Sequence, residues 1–210
     1  MTGRDGERVL LIIDVQNDFC PGGSLAVDGG DEVVPVINSI MPLFSRVVAT
    51  QDWHPPNHVS FASSHPGRKP LDVVDADGIE QVLWPDHCVQ GTRGADLHPR
   101  LSVGGIELVM RKGLRARLDS YSAFFENDHR TDTGLRFYLE GMKTSEVFVC
   151  GLATDYCVRA SALDARGLGF QVTLVSDACR GVDFPRGNTE KSLGEMRKAG
   201  VKVVESGSLT

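Results

Sequence analysis

No Cys-x-x-Cys pair occurs anywhere in the sequence, and its five cysteines, Cys20, Cys88, Cys150, Cys157 and Cys179, are an odd number. Both facts argue against a disulfide framework or a structural zinc site, and a reducing cytoplasm is the expected setting. Long apolar runs are missing too. None approaches the ~18 residues of a membrane helix. The run nearest the amino terminus stops at Asp14, which is too short for a signal peptide. Positive charge is not in surplus: the formal net charge is −6, so neither nucleic acid nor an anionic membrane is an expected partner. The glycine pairs Gly22-Gly23 and Gly29-Gly30 lead into no helix with GxGxxG spacing and read as turns, not phosphate loops. No repeat, low-complexity tract or linker divides the chain. Its 210 residues are read as one domain, 1–210.

Six compact apolar runs are present: "RVLLIIDV" (8–15), "RVVATQD" (46–52), "IELVMRK" (106–112), "EVFVCGL" (146–152), "QVTLVSD" (171–177) and "VKVVE" (201–205). They are short, rich in valine and isoleucine, and mostly not alternating. Strands covered on both faces, as in a parallel sheet, have that pattern. Helical spacing falls between them, in "DEVVPVINSIMPLF", "TGLRFYLEGM", "TDYCVRASALDARGLG" and "NTEKSLGEMRKAG", with Thr154 and Asn188 predicted as N-caps. Strands alternating with helices give an α/β fold, a three-layer sandwich around a parallel sheet. Residues 54–105, rich in proline, glycine and histidine, break the alternation, and a loop that long in a compact domain is usually functional.

Open parallel sheets bind ligands beyond the carboxyl ends of their strands. That rule gathers Asp14 from the first strand, Asp52 and His54 from the second, Arg111 and Lys112 from the third, and Cys157 from the turn after the fourth. An isolated thiol titrates near ~8.5. A helix amino terminus and a nearby ammonium both favour the thiolate, and a pKa lowered to about 7 would make half of it nucleophilic. Asp14 could accept the thiol proton and later deliver it to a leaving group. Backbone N–H groups from Ala153 to Cys157 could receive an oxyanion. The set reads as a Cys-Lys-Asp hydrolase centre.

In an extended segment residues i and i+2 point the same way, so Asp52 and His54 can converge while Trp53 faces away. A carboxylate and an imidazole form half a metal site, and His87 in "WPDHCV" is the candidate for the rest. Asp, His and His suit zinc, iron or manganese. His58 could be brought near by a looping chain. Each residue also has a plainer reading: Asp52 and His54 as a turn-forming pair, Lys112 in "RKGLRAR" as part of a solvated face, Cys157 as a small core residue. The other four cysteines are read as core, and His65, His98 and His129 as surface residues.

The stretches "LLIIDVQNDFCPGGSLAV", "VVATQDWHPPNHVSFA", "WPDHCVQGTRGADLHP", "GLATDYCV" and "SDACRGV" resemble the nicotinamidases, also called pyrazinamidases, of the isochorismatase-like cysteine hydrolases. The resemblance runs from residue 10 to about 182. It implies a Rossmann-like six-stranded parallel sheet in the order 3-2-1-4-5-6. It implies Asp14, Lys112 and Cys157 as catalytic residues and the amides of Ala153 and Cys157 as an oxyanion hole. One divalent metal ion would be held by Asp52, His54 and His87, with Ser60 or His58 as a variable further contact. A ring pocket of Phe19, Leu25, Trp84 and Tyr121 and a cis Leu152–Ala153 peptide are implied as well. So are hydrolysis of nicotinamide to nicotinate and ammonia, and a part in NAD salvage. Sister hydrolases acting on other small amides or ureido compounds share the triad. Self-association into a homo-oligomer is left open.

Overall fold

A computed structural model describes residues 8–209; residues 1–7, part of the stretch read against a signal peptide, lie outside the described residues. All six runs are strands. The first two are β1 (Arg8–Ile13) and β2 (Val47–Asp52), both almost wholly buried. Two short strands inside the long loop, β3 (Val73–Ala76) and β4 (Ile79–Val82), form a separate antiparallel pair. Then come β5 (Leu108–Lys112), β6 (Glu146–Leu152), β7 (Gln171–Arg180) and β8 (Lys202–Val204). The main sheet has the order β5-β2-β1-β6-β7-β8, and every pair in it is parallel. Its strands are therefore in the order 3-2-1-4-5-6. The β3–β4 hairpin was not expected, although its signal was present. Asp77-Gly78 sits between the two strands with φ of 56° and 87°, as a two-residue hairpin turn requires.

Helices α1 (Val33–Ile40), α2 (Leu135–Gly141), α3 (Arg159–Gly167) and α4 (Asn188–Lys198) cover the sheet. None is long and apolar enough to cross a membrane. The strand order reverses at β1: β2 and β5 are added on one side of it, and β6, β7 and β8 on the other. Two predicted caps differ from what is found. Thr154 opens a π-helical turn, Thr154–Val158, whose flanking residue is Ala153, and no side chain caps it. The residue before α4 is Gly187, at φ 89°. Asn188 is instead the first helical residue, and its side-chain amide donates to Asp155.

One backbone contact fixes where the strand ends meet. Ile13 pairs with Gly151 across β1 and β6. A Cβ at Gly151 would lie 2.1 Å from the Ile13 carbonyl oxygen, and its φ is +112°. Only glycine allows this approach, and it sets the main chain of Asp14 beside the turn after β6. The Leu152–Ala153 peptide there is cis. Gly151→Ala is expected to destabilise the fold by more than about 3 kcal/mol, since it adds both a backbone overlap and a forbidden φ. A thermal melt would read it, and a melting temperature near wild type would refute the contact's role.

Candidate active site

Lys112 ends β5 with its side chain turned inward and 2% exposed. It is not part of a solvated basic face. Its ammonium lies 2.9 Å from Asp14 Oδ2, donates to Asp52 Oδ1 and to the Ser120 carbonyl at 2.8 Å, and sits 3.4 Å from Cys157 Sγ. Asp14, fully buried, holds its other oxygen against the Thr50 hydroxyl, which donates at 2.7 Å. Burial pushes the Asp14 carboxyl up and Lys112 pulls it back, leaving it raised to about 6, with the Asp52 charge contributing to the rise. Burial alone would also raise Asp52. There Lys112 and then His54 override it and hold the carboxyl well below the usual range. Lys112 stays an ammonium because its two carboxylates outweigh its burial.

Cys157 departs from the expectation of a ready thiolate. It is 6% exposed, and burial pushes its thiol well above the ordinary value. Lys112 opposes that rise, and the Asp14 and Asp52 carboxylates add to it. The helix amino terminus and the ammonium favour the thiolate, but desolvation and the two acids outweigh them. Burial and the two acids favour the thiol over the thiolate.

Beside this cluster, Asp52, His54 and His87 bring one ligand atom each within 4.8 Å of one another. His54 Nε2 is 3.4 Å and His87 Nε2 is 3.9 Å from Asp52 Oδ2. The far nitrogens are fixed: His54 Nδ1 meets the Gly113 carbonyl at 3.0 Å, and His87 Nδ1 meets the Pro85 carbonyl at 2.8 Å. A carbonyl only accepts, so each Nδ1 carries a proton, and Nε2 is the ring nitrogen turned toward Asp52. Burial and the neighbouring His54 hold His87 down at about 4, which keeps it neutral. For His54 burial lowers the pKa, but the Asp52 carboxylate reverses this and raises it. Two inward Nε2 atoms and a carboxylate oxygen converging on one buried point fit a divalent cation of the zinc, iron or manganese type, which binds imidazole in its neutral form. His58 stacks on His54 with ring centroids 4.1 Å apart and meets Ser60 Oγ at 2.7 Å. Its Nε2 is buried and unpartnered.

Gln16 ties the two strand ends together. Its side-chain amide donates to the Asp52 and Ala95 carbonyls and accepts the Asp52 N–H, each at 2.8 Å. Trp53 faces away, with the Arg111 guanidinium 3.8 Å over its ring. The three histidines expected at the surface fare differently: His129 is exposed, whereas His65 and His98 are half-buried. Cys20, Cys88, Cys150 and Cys179 are buried and free.

A small pocket opens over Cys157. Phe19, Leu25, Trp84 and Tyr121 line it, as do Asp52, His54, His87 and Ala153. The sequence reading missed three further lining residues, Asp119, Tyr156 and Val182. Tyr156 adjoins the nucleophile candidate and packs edge-on to Trp84, with centroids 4.8 Å apart. The Trp84 indole N–H donates to the Tyr121 hydroxyl at 3.2 Å. A wider groove at the other end of the sheet, bordered by Arg8, Phe44, Phe148 and Lys202, carries none of these groups.

Comparisons with known proteins agree with this geometry. A nicotinamidase from Acinetobacter baylyi is 46% identical over 197 residues, covering 94% of this chain and 92% of that protein. A solved nicotinamidase/pyrazinamidase from Acinetobacter baumanii superposes with a TM-score of 0.96 at 45% identity over the whole of both chains. A Pyrococcus horikoshii pyrazinamidase solved in complex with zinc gives a TM-score of 0.74 at 36% identity, covering 95% of this chain and 99% of that one. The isochorismatase domain model matches residues 8–208, and the chain therefore belongs to the isochorismatase family.

Proposed function

We propose that this chain, as one isochorismatase-like hydrolase domain over 1–210, hydrolyses the carboxamide of nicotinamide, and of pyrazinamide, to the acid and ammonia. The observation that carries the reading is a single ammonium, Lys112 Nζ, standing 2.9 Å from Asp14 Oδ2 and 3.4 Å from Cys157 Sγ under an aromatic-walled pocket. The names of the relatives support it. NAD salvage in the cytoplasm is the proposed setting, in keeping with five free cysteines.

Because Cys157 rests as a thiol, attack needs a base, and Asp14 takes the proton as sulfur bonds to the carbonyl carbon. The charge that develops on oxygen is received by the amides of Ala153 and Cys157. Asp14 returns the proton to the nitrogen, the C–N bond breaks, and ammonia leaves a thioester on Cys157. Asp14 then takes a proton from water as its oxygen attacks the thioester, and the proton passes to sulfur as the acid departs. Lys112 steadies the carboxylate in each half. The ring lies between Phe19, Leu25, Trp84 and Tyr121, which hold the carboxamide over the sulfur. Asp52, His54 and His87 would hold one divalent metal ion (zinc, iron or manganese), which when bound supplies a Lewis-acidic anchor for the ring nitrogen. Ser60 or His58 is the candidate further contact.

Cys157→Ala is expected to lose ammonia release from nicotinamide by at least about a thousandfold; a variant with full turnover would end the proposal. Asp14 must be ionised to accept the thiol proton, and lowering the pH protonates it. The rate constant kcat/KM should therefore fall on the acid side with an apparent pKa of about 6, and a profile that stays flat below that value would remove Asp14 as the base. Elemental analysis should find one metal ion per chain in the wild type and markedly less in His54→Ala and His87→Ala. Dialysis against a chelator should abolish turnover until metal is restored, whereas a metal-free protein with undiminished turnover would refute the metal's part.

A further inference from the structure

The reaction above makes no use of Asp155, yet this residue is 1% exposed and stands two positions before Cys157. A carboxylate only accepts hydrogen bonds, and this one takes three donors from one segment. The Val182 N–H meets Oδ1 at 2.9 Å. The Asp183 N–H meets Oδ2 at 2.9 Å, and the Asn188 side-chain amide meets it at 3.2 Å. A second tie runs alongside, the Tyr156 hydroxyl donating to the Phe184 carbonyl at 2.9 Å. The segment leaves β7 at Arg180 and brings Val182 into the pocket wall with Tyr156 and Cys157. Capping of α4 does not explain these bonds. Asp183 does that work, its Oδ1 accepting the Gly187 and Thr189 N–H groups at 3.0 Å.

We propose that Asp155 is a positioning residue that suspends the Val182 wall from the turn carrying Cys157, making Val182 the specificity-determining residue for substituents on the aromatic ring. The inference rests on the carboxamide hydrolysis proposed above and deepens it: the substrate class is six-membered heteroaromatic carboxamides without ring substituents. One buried carboxylate sets both the wall and the nucleophile, so the gap between them is fixed by hydrogen bonds, not by loose packing. An apolar wall discriminates by the fit of single methyl groups, and each is worth about 10- to 200-fold.

The test measures ammonia release by the full chain, supplied with metal, from nicotinamide and from nicotinamides carrying one methyl group at each ring carbon in turn. The wild type should prefer the unsubstituted ring. Val182→Ala should narrow that preference about tenfold or more for at least one methylated substrate. Asp155→Asn keeps the shape but turns an amide N–H toward backbone donors. It should narrow the preference for the same substrate, through KM more than kcat, with an unchanged circular dichroism spectrum. A general loss of structure would lower all substrates together and leave the ratio alone. If Asp155→Asn does not fold, Asn188→Ala, which removes one donor from outside the pocket, is read in its place with the same expected sign. A folded, active variant of either kind that keeps the wild-type ratio overturns the proposal, as does a Val182→Ala that keeps it. A wild type that releases no ammonia from nicotinamide overturns the reading of the reaction, and this inference with it.

Discussion

A single buried ammonium between two buried carboxylates is the constraint around which the site is arranged. Near 3 Å, with an effective dielectric of ~20, each pairing is worth about 6 kcal/mol of attraction, against a desolvation cost of several kcal/mol per ion. One pairing would roughly balance. Two keep Lys112 charged, and they divide the carboxylates unequally. Asp52, which also faces His54, stays ionised under all ordinary conditions. Asp14, fully buried with the Thr50 hydroxyl as a further partner and the Asp52 charge nearby, is left with a raised pKa of about 6. Two acids of the same kind thus acquire different tasks from their surroundings.

The sheet topology makes that cluster possible. Lys112 comes from β5, Asp52 from β2, Asp14 from β1 and Cys157 from the turn after β6, four adjacent strands of one parallel sheet. Their carboxyl ends lie at one side because every pairing is parallel. The glycine at position 151 then lets β1 and β6 approach closely, which brings Asp14 to the turn that carries Cys157. Gln16 completes the arrangement by holding both backbone polar groups of Asp52 with a single side-chain amide.

Much of this was legible in the sequence, since parallel strands announce themselves as short apolar runs and the polar residue that ends each run is easy to name. What escaped had physical reasons. The run "QVTLVSD" predicts a strand ending at Asp177, but β7 continues to Arg180 across a register shift opposite Val149 and Gly151. That extension carries Val182 to the pocket. Asp119 lies in a segment without periodicity, so nothing local marks its burial. Tyr156 reads as one more residue of a helix, yet it sits in the π-helical turn Thr154–Val158 and lines the pocket. The state of the Cys157 thiol depends on desolvation, which a list of neighbouring charges does not contain.

The strand that carries Lys112 has a sheet neighbour on one side only, β2, and its Val109 is 41% exposed. Amide exchange is expected to be faster along such a border strand than along β1, which is covered on both flanks. Fraying there would withdraw the ammonium while the rest of the sheet stayed folded. Heat or denaturant would then silence the chemistry through a local opening, well before global unfolding is detectable.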